Sequence, residues 1–175
     1  MSAGSVVRRA VDLLLLGTVL GLLFLRAEVY RPVQVVQQSM EPTLHPGDRL
    51  LVNTWKVQRR LPKRGTVVVL QSHEEGVWLV KRVVAVAGDK VATGRWGLWL
   101  NGRWVKEPYA VPYGAETTPV VTVPADSVYV LGDNRPESND SRDFGPVFGD
   151  EIVGEAVAVM GPKERRRWLE PAKQQ

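Results

Sequence analysis

The chain has 175 residues, 44% of them hydrophobic and 24% charged, which suits one folded domain and excludes intrinsic disorder. It has no cysteine and only two histidines, His45 and His73, which excludes disulfide scaffolds, thiol nucleophiles and multi-histidine metal sites. The net charge of +4 is not a nucleic-acid signal: residues 1–31 carry +2 and residues 163–175 carry +3, leaving −1 over residues 32–162. A nucleic-acid binder carries its basic stripe on the folded domain itself.

Residues 13–25 contain no charged side chain and eight leucines. Extending the run to residues 10–30 reaches the ~20 residues that a helix needs to cross a bilayer. Asp12, Arg26 and Glu28 then fall near its ends, where long side chains reach the interface. A cleaved signal peptide is the competing reading, with Arg8 and Arg9 as its basic start. No small-residue cleavage site follows the apolar run, so the expectation is an uncleaved N-terminal transmembrane anchor. Arginines flank it on both sides and leave its orientation open.

From residue 32 onward there are 25 valines, in short runs between turn residues, which predicts a mainly β domain. Candidate strands are residues 33–36, 49–53, 66–71, 78–86, 90–93, 98–100, 103–105, 120–123, 128–131 and 152–159. Asn101-Gly102 between Leu98-Trp99-Leu100 and Arg103-Trp104-Val105 predicts a two-residue hairpin with Trp99 opposite Trp104. That pair either meets lipid or packs on the domain's own core. No long amphipathic helix is expected after residue 32. The expected organisation is an anchor over residues 1–31, a β-rich domain over residues 32–162 and a basic tail over residues 163–175. The tail reads as a solvated end, or alternatively as a contact for anionic lipid.

Three places are odd for a plain β scaffold. Ser39 follows the strand at 33–36 and precedes Pro42; it is either a turn residue or a nucleophile. Lys81 lies inside an apolar strand. Period two sets Leu79, Lys81, Val83 and Ala85 on one face and Val80, Arg82, Val84 and Val86 on the other. Burial there would lower its pKa toward that of a general base, whereas an edge position would leave an ordinary snorkelling lysine. The third place is the polar run from Gly132 to Asp143. Neither histidine sits well for a Ser-His-Asp triad, which leaves serine with a desolvated lysine as the nucleophile–base pair.

The chain closely resembles bacterial type I signal peptidases. The resemblance rests on Ser39-Met40-Glu41-Pro42-Thr43-Leu44, Gly47-Asp48-Arg49-Leu50, Lys81-Arg82-Val83-Val84 with Gly88-Asp89, and Gly132-Asp133-Asn134-Arg135 through Ser138, Asp140 and Arg142. It implies an antiparallel, barrel-like β-sheet catalytic domain on the outer face of the cytoplasmic membrane, preceded by one transmembrane helix. It implies a serine endopeptidase that removes signal peptides with small residues before the cut. Ser39 would be the nucleophile and Lys81 the general base. Ser138 would orient the lysine, and Asp140 and Arg142 would form a supporting ion pair. No metal or cofactor is implied, and the partners are preproteins and the lipid bilayer, not nucleic acid. Many members carry a serine two residues before the nucleophile as an oxyanion donor. Here that residue is Gln37, whose amide would take the role if the segment is extended. Two other readings share some of these features: a self-cleaving Ser/Lys regulator, and a non-enzymatic membrane-anchored β adaptor.

Overall fold

The computed structural model describes residues 11–19, 21, 29–72, 77–112 and 117–174; His73 lies outside them. Residues 11–19 are helical and exposed. Among the described residues no helix is long and apolar enough to cross a membrane, and most of the second half of the expected span lies outside them.

The valine-rich body forms two antiparallel sheets. The strands are β1 (Tyr30–Gln34), β2 (Arg49–Asn53), β3 (Val67–Gln71), β4 (Trp78–Val86), β5 (Lys90–Gly94), β6 (Gly97–Leu100), β7 (Arg103–Val105), β8 (Val121–Thr122), β9 (Ser127–Leu131), β10 (Val147–Phe148), β11 (Ile152–Gly161) and β12 (Arg167–Trp168). The larger sheet runs β1-β2-β11-β3-β4-β9-β10, with β12 beside β11. The smaller runs β7-β6-β5-β8. Among the described residues the larger sheet is not a closed barrel, since its strand order ends at β1 and β10. It curls nonetheless: residues 32–37 line one cleft together with Val77, Trp78 and Val80, although three strands separate β1 from β4 in the sheet.

β4 occupies the middle of the site and is paired on both sides, with β3 and with β9. The alternation expected from the sequence holds from Leu79 to Val83. A bulge opposite β9 between Val83 and Ala85 then breaks it. Ala85 therefore joins Val84 against Val91, Leu98 and Leu131, while Val86 joins Val83 against Val68, Val128 and Val130. This corrects the assignment of Ala85 to the Lys81 face: one extra residue reverses every later side chain.

The hairpin has the expected register, with Leu98 opposite Val105, Trp99 opposite Trp104 and Leu100 opposite Arg103. Asn101 and Gly102 both have positive φ, 51° and 95°, as a two-residue turn of this hand requires. Trp99 is half-buried and Trp104 is exposed.

The tail is exposed over most of its residues, as expected, but it is docked on the domain rather than free. Trp168 pairs with Ala158 across β12 and β11, and Leu169 packs on the core cluster of Val33, Val35, Met40, Leu44, Leu50 and Val52. The amide of Ala172 donates to the carbonyl of Gly65 at 3.1 Å. Gly65 has φ +83°, and a Cβ there would meet the Ala172 carbonyl oxygen at 2.1 Å, so only glycine accommodates the strap.

Candidate active site

The chain bends at residues 37–38 after β1 and enters a turn that carries Ser39. The Glu41 amide donates to the Gln38 carbonyl and the Leu44 amide to the Met40 carbonyl. Met40 and Leu44 are fully buried, so the turn is rooted in the core on both sides of its bend. Its position is fixed by packing, and Ser39 is held 5% exposed at the cleft wall.

Lys81 approaches from β4. Its side chain is 1% exposed, with Nζ 2.9 Å from Ser39 Oγ and 3.2 Å from Ser138 Oγ. Among the described residues it makes no ion pair. Burial, opposed by the charge of Asp140, lowers its pKa from 10.5 to about 8. The sequence left open whether this lysine is buried or snorkels; the structure places it inside, between two hydroxyls.

Ser138 follows the short turn Arg135–Glu137 and precedes the helix Ser141–Phe144. Asp140 caps that helix through a reciprocal box with Asp143. It is fully buried and accepts from the Gly132 amide at 2.9 Å and from Arg142 Nε at 2.8 Å. Arg142 Nη2 in turn donates to the carbonyls of Arg135 and Ser138, at 2.7 and 3.0 Å. The Asp140–Arg142 pair thus fixes the backbone of Ser138. Ser39, Lys81, Ser138, Asp140 and Arg142, which span 103 positions in the chain, come together at one point.

Gln37 lines the same cleft as Ser39. The reason given by the sequence, an extended segment with period two, does not apply, because the chain bends at 37–38.

Sequence reading missed three supports. Arg82, beside Lys81, is buried and donates to Asp133 through Nε and Nη2 at 2.8 and 2.6 Å, and to the Gly65 carbonyl at 2.8 Å. The Thr43 hydroxyl donates to the same carboxylate, which links the Ser39 turn to the loop after β9. Arg135 pairs with Glu107 at 2.8 Å and also donates to the Gly132 carbonyl at 2.7 Å. The sequence signals were the density of charge in the polar run, for Asp133 and Arg135, and the place of Arg82 beside Lys81; the partners lie too far away along the chain to be read.

The cleft beside Ser39 has a volume of about 510 Å³ and is walled by Val33, Val35, Met40, Val77, Trp78 and Val80. Val35 exchanges both its backbone hydrogen bonds with the 47–48 turn. By alternation, Gln34 and Val36 turn their backbone groups toward the open edge of β1.

The chain matches the family described as signal peptidase, peptidase S26, over residues 7–161. It is 35% identical over 165 residues to a signal peptidase I of Bacillus licheniformis, covering 87% of each chain. It is 32% identical over 167 residues to a probable signal peptidase I-1 of Synechocystis, covering 91% of this chain and 85% of that one. A crystal structure of a signal peptidase I from Enterococcus faecalis is 29% identical, covers 55% of this chain and 97% of that one, and superposes with a TM-score of 0.46. With a buried lysine and serine in contact at the cleft and this match along most of its length, the chain belongs to the signal peptidase family, peptidase S26, and is a serine endopeptidase.

Proposed function

We propose that this protein cleaves signal peptides from exported preproteins with Ser39 as nucleophile and Lys81 as general base. The observation that carries the reading is the 2.9 Å contact between Lys81 Nζ and Ser39 Oγ at a buried position. An amine that loses its proton near pH 8 can act as a base where an ordinary lysine cannot.

Neutral Lys81 takes the Ser39 proton as Oγ attacks the scissile carbonyl carbon. The resulting ammonium is held by Ser138 and then protonates the leaving amine. The acyl-enzyme is hydrolysed by water that Lys81 deprotonates, and Ser39 leaves with its proton restored. Asp140 and Arg142 act one step back, by fixing Ser138. The Ser39 amide and the Gln37 side chain are the donors proposed for the oxyanion.

The substrate lies as an extended strand along the free edge of β1, with the backbone groups of Gln34 and Val36 as its partners. Met40, Val33, Val35 and Val80 leave room for small side chains near Ser39, in keeping with alanine-like residues before the cut. The apolar run at residues 13–25 supports anchoring of the domain to the cytoplasmic membrane, and the family resemblance implies that the domain lies on its outer face.

The test is cleavage of a preprotein by detergent-solubilised protein. Wild type cuts at the end of the signal segment. Ser39→Ala and Lys81→Ala each lose nearly all activity, and the double variant is little worse than either. Normal turnover by Ser39→Ala would end this reading. Absence of cleavage at any pH by the wild type would favour an adaptor.

A further inference from the structure

The strap that follows β11 begins where the family match ends, at residue 161, and contacts both the turn that carries Ser39 and the strand that carries Lys81. Arg165 Nε lies 2.8 Å from Asp48 Oδ1, off the direction of its N–H. Asp48 is completely buried, and its other oxygen accepts from the His45 amide at 2.9 Å. The same residue's carbonyl accepts from the Val35 amide at 2.8 Å, so Asp48 joins the end of the Ser39 turn to the cleft wall. Arg167 Nη2 donates to the Thr43 carbonyl, four residues after Ser39. Leu169 packs on the cluster that contains Met40 and Leu44. Farther along, Gln174 Nε2 donates to the Val84 carbonyl at 3.1 Å, three residues after Lys81 on β4.

One segment therefore touches the turn that carries Ser39 and the strand that carries Lys81. We infer that residues 163–174 form a clasp that sets the Ser39–Lys81 distance, with Arg165 and Arg167 as positioning residues for the reaction. The inference rests on the Ser39/Lys81 reading above. Neither arginine lines the cleft beside Ser39. Each acts through the backbone of the Ser39 turn: Arg165 by neutralising a buried carboxylate that braces it, and Arg167 by holding the Thr43 carbonyl. A turn released by even part of an ångström exposes Lys81 to water and lengthens its bond to Ser39, which costs rate without altering the substrate cleft.

The experiment is steady-state cleavage of one preprotein across pH by full-length Arg165→Met, Arg165→Lys and Arg167→Met, with Ser39→Ala as control. Arg165→Met should lower kcat by about tenfold or more with KM changed less than about twofold. The midpoint of its kcat/KM profile should move upward from about pH 8, toward the ordinary lysine value. Arg165→Lys should recover part of both. Arg167→Met leaves no buried charge unpaired, so it keeps the test alive if Arg165→Met fails to fold. It should show the same direction of change, with faster hydrogen exchange at amides 39–48. Wild-type kcat and an unmoved pH midpoint in Arg167→Met, and in Arg165→Met where it folds, with the Ser39→Ala control inactive, would overturn the clasp alone. Activity in Ser39→Ala would overturn the dyad reading and the clasp with it.

Discussion

The backbone amide of Asn134 donates to the carbonyl oxygen of Ser39 at 3.0 Å. This bond joins two loops 95 positions apart, and it brings Gly132 against both serines of the site. A Cβ on Gly132 would lie 2.2 Å from Ser138 Oγ and 2.5 Å from the Ser39 carbonyl oxygen. Gly132→Ala should therefore displace Ser138 from Lys81, lowering kcat by about 10²-fold and stability by about 1–3 kcal/mol. Kinetics and a thermal melt decide it; a fully active, equally stable variant would contradict the geometry.

Activity should rise with pH. Lys81 must be neutral to accept a proton, and its pKa sits at about 8. Log kcat/KM should climb with a slope near one below that value and level off above it. A maximum below neutrality would exclude lysine as the base.

The same burial carries a stability cost with a definite sign. The folded pKa of Lys81 lies below its unfolded value of 10.5. Between the two, the unfolded chain binds more protons, so stability rises with pH. The cost is complete below about pH 8 and vanishes above about pH 10.5. Converted at 1.36 kcal/mol per pH unit it approaches about 3 kcal/mol, partly offset by the bonds to two hydroxyls. Lys81→Met should be inactive and about 2 kcal/mol more stable than wild type at pH 6.5, with the gain shrinking toward pH 10. Melting curves at both pH values test this, and a variant less stable than wild type at pH 6.5 would refute it.

Gln37 has a separable signature. If its amide donates to the oxyanion, Gln37→Ala should lower kcat by roughly 10²–10³ with KM little changed. Gln37→Ser should recover part of the loss. A Gln37→Ala enzyme within a few-fold of wild type would leave the Ser39 amide as the donor.

Local chemistry was readable where it decides structure locally. Trp78–Val86 reads as a strand from its composition, and Asn101-Gly102 sets the register of its hairpin from two residues. The residue types at Ser39 and Lys81 left a turn serine or nucleophile, and a snorkelling or buried lysine, open, and the family resemblance chose between them. What was not readable depends on distant partners. β10 and β12 have two residues each and are strands only because β9 and β11 lie beside them. The bulge after Val83 arises from pairing with β9 and leaves no mark in the alternation itself. The basic tail has the composition of a solvated end, yet a buried aspartate at position 48 draws Arg165 inward. Arg82 and Lys81 look alike as cations in one strand. The guanidinium of Arg82 keeps its charge by its own chemistry and pairs with Asp133, whereas the depth of burial that makes Lys81 titrate is set by the distant elements packed around it.

The open edge of β1 has a consequence for timing. Backbone groups at a strand edge pair with a chain that is already extended, and not with a helix, whose backbone groups are bonded to one another. A cleavage segment that has coiled or been tucked into its own domain offers no partner until it melts, and melting subtracts directly from its binding. If the substrate docks on Gln34 and Val36 as proposed, recognition reads conformation before it reads sequence. A preprotein whose junction folds early should escape this enzyme even with ideal small residues at the cut, so the race between passenger folding and docking would set which chains mature.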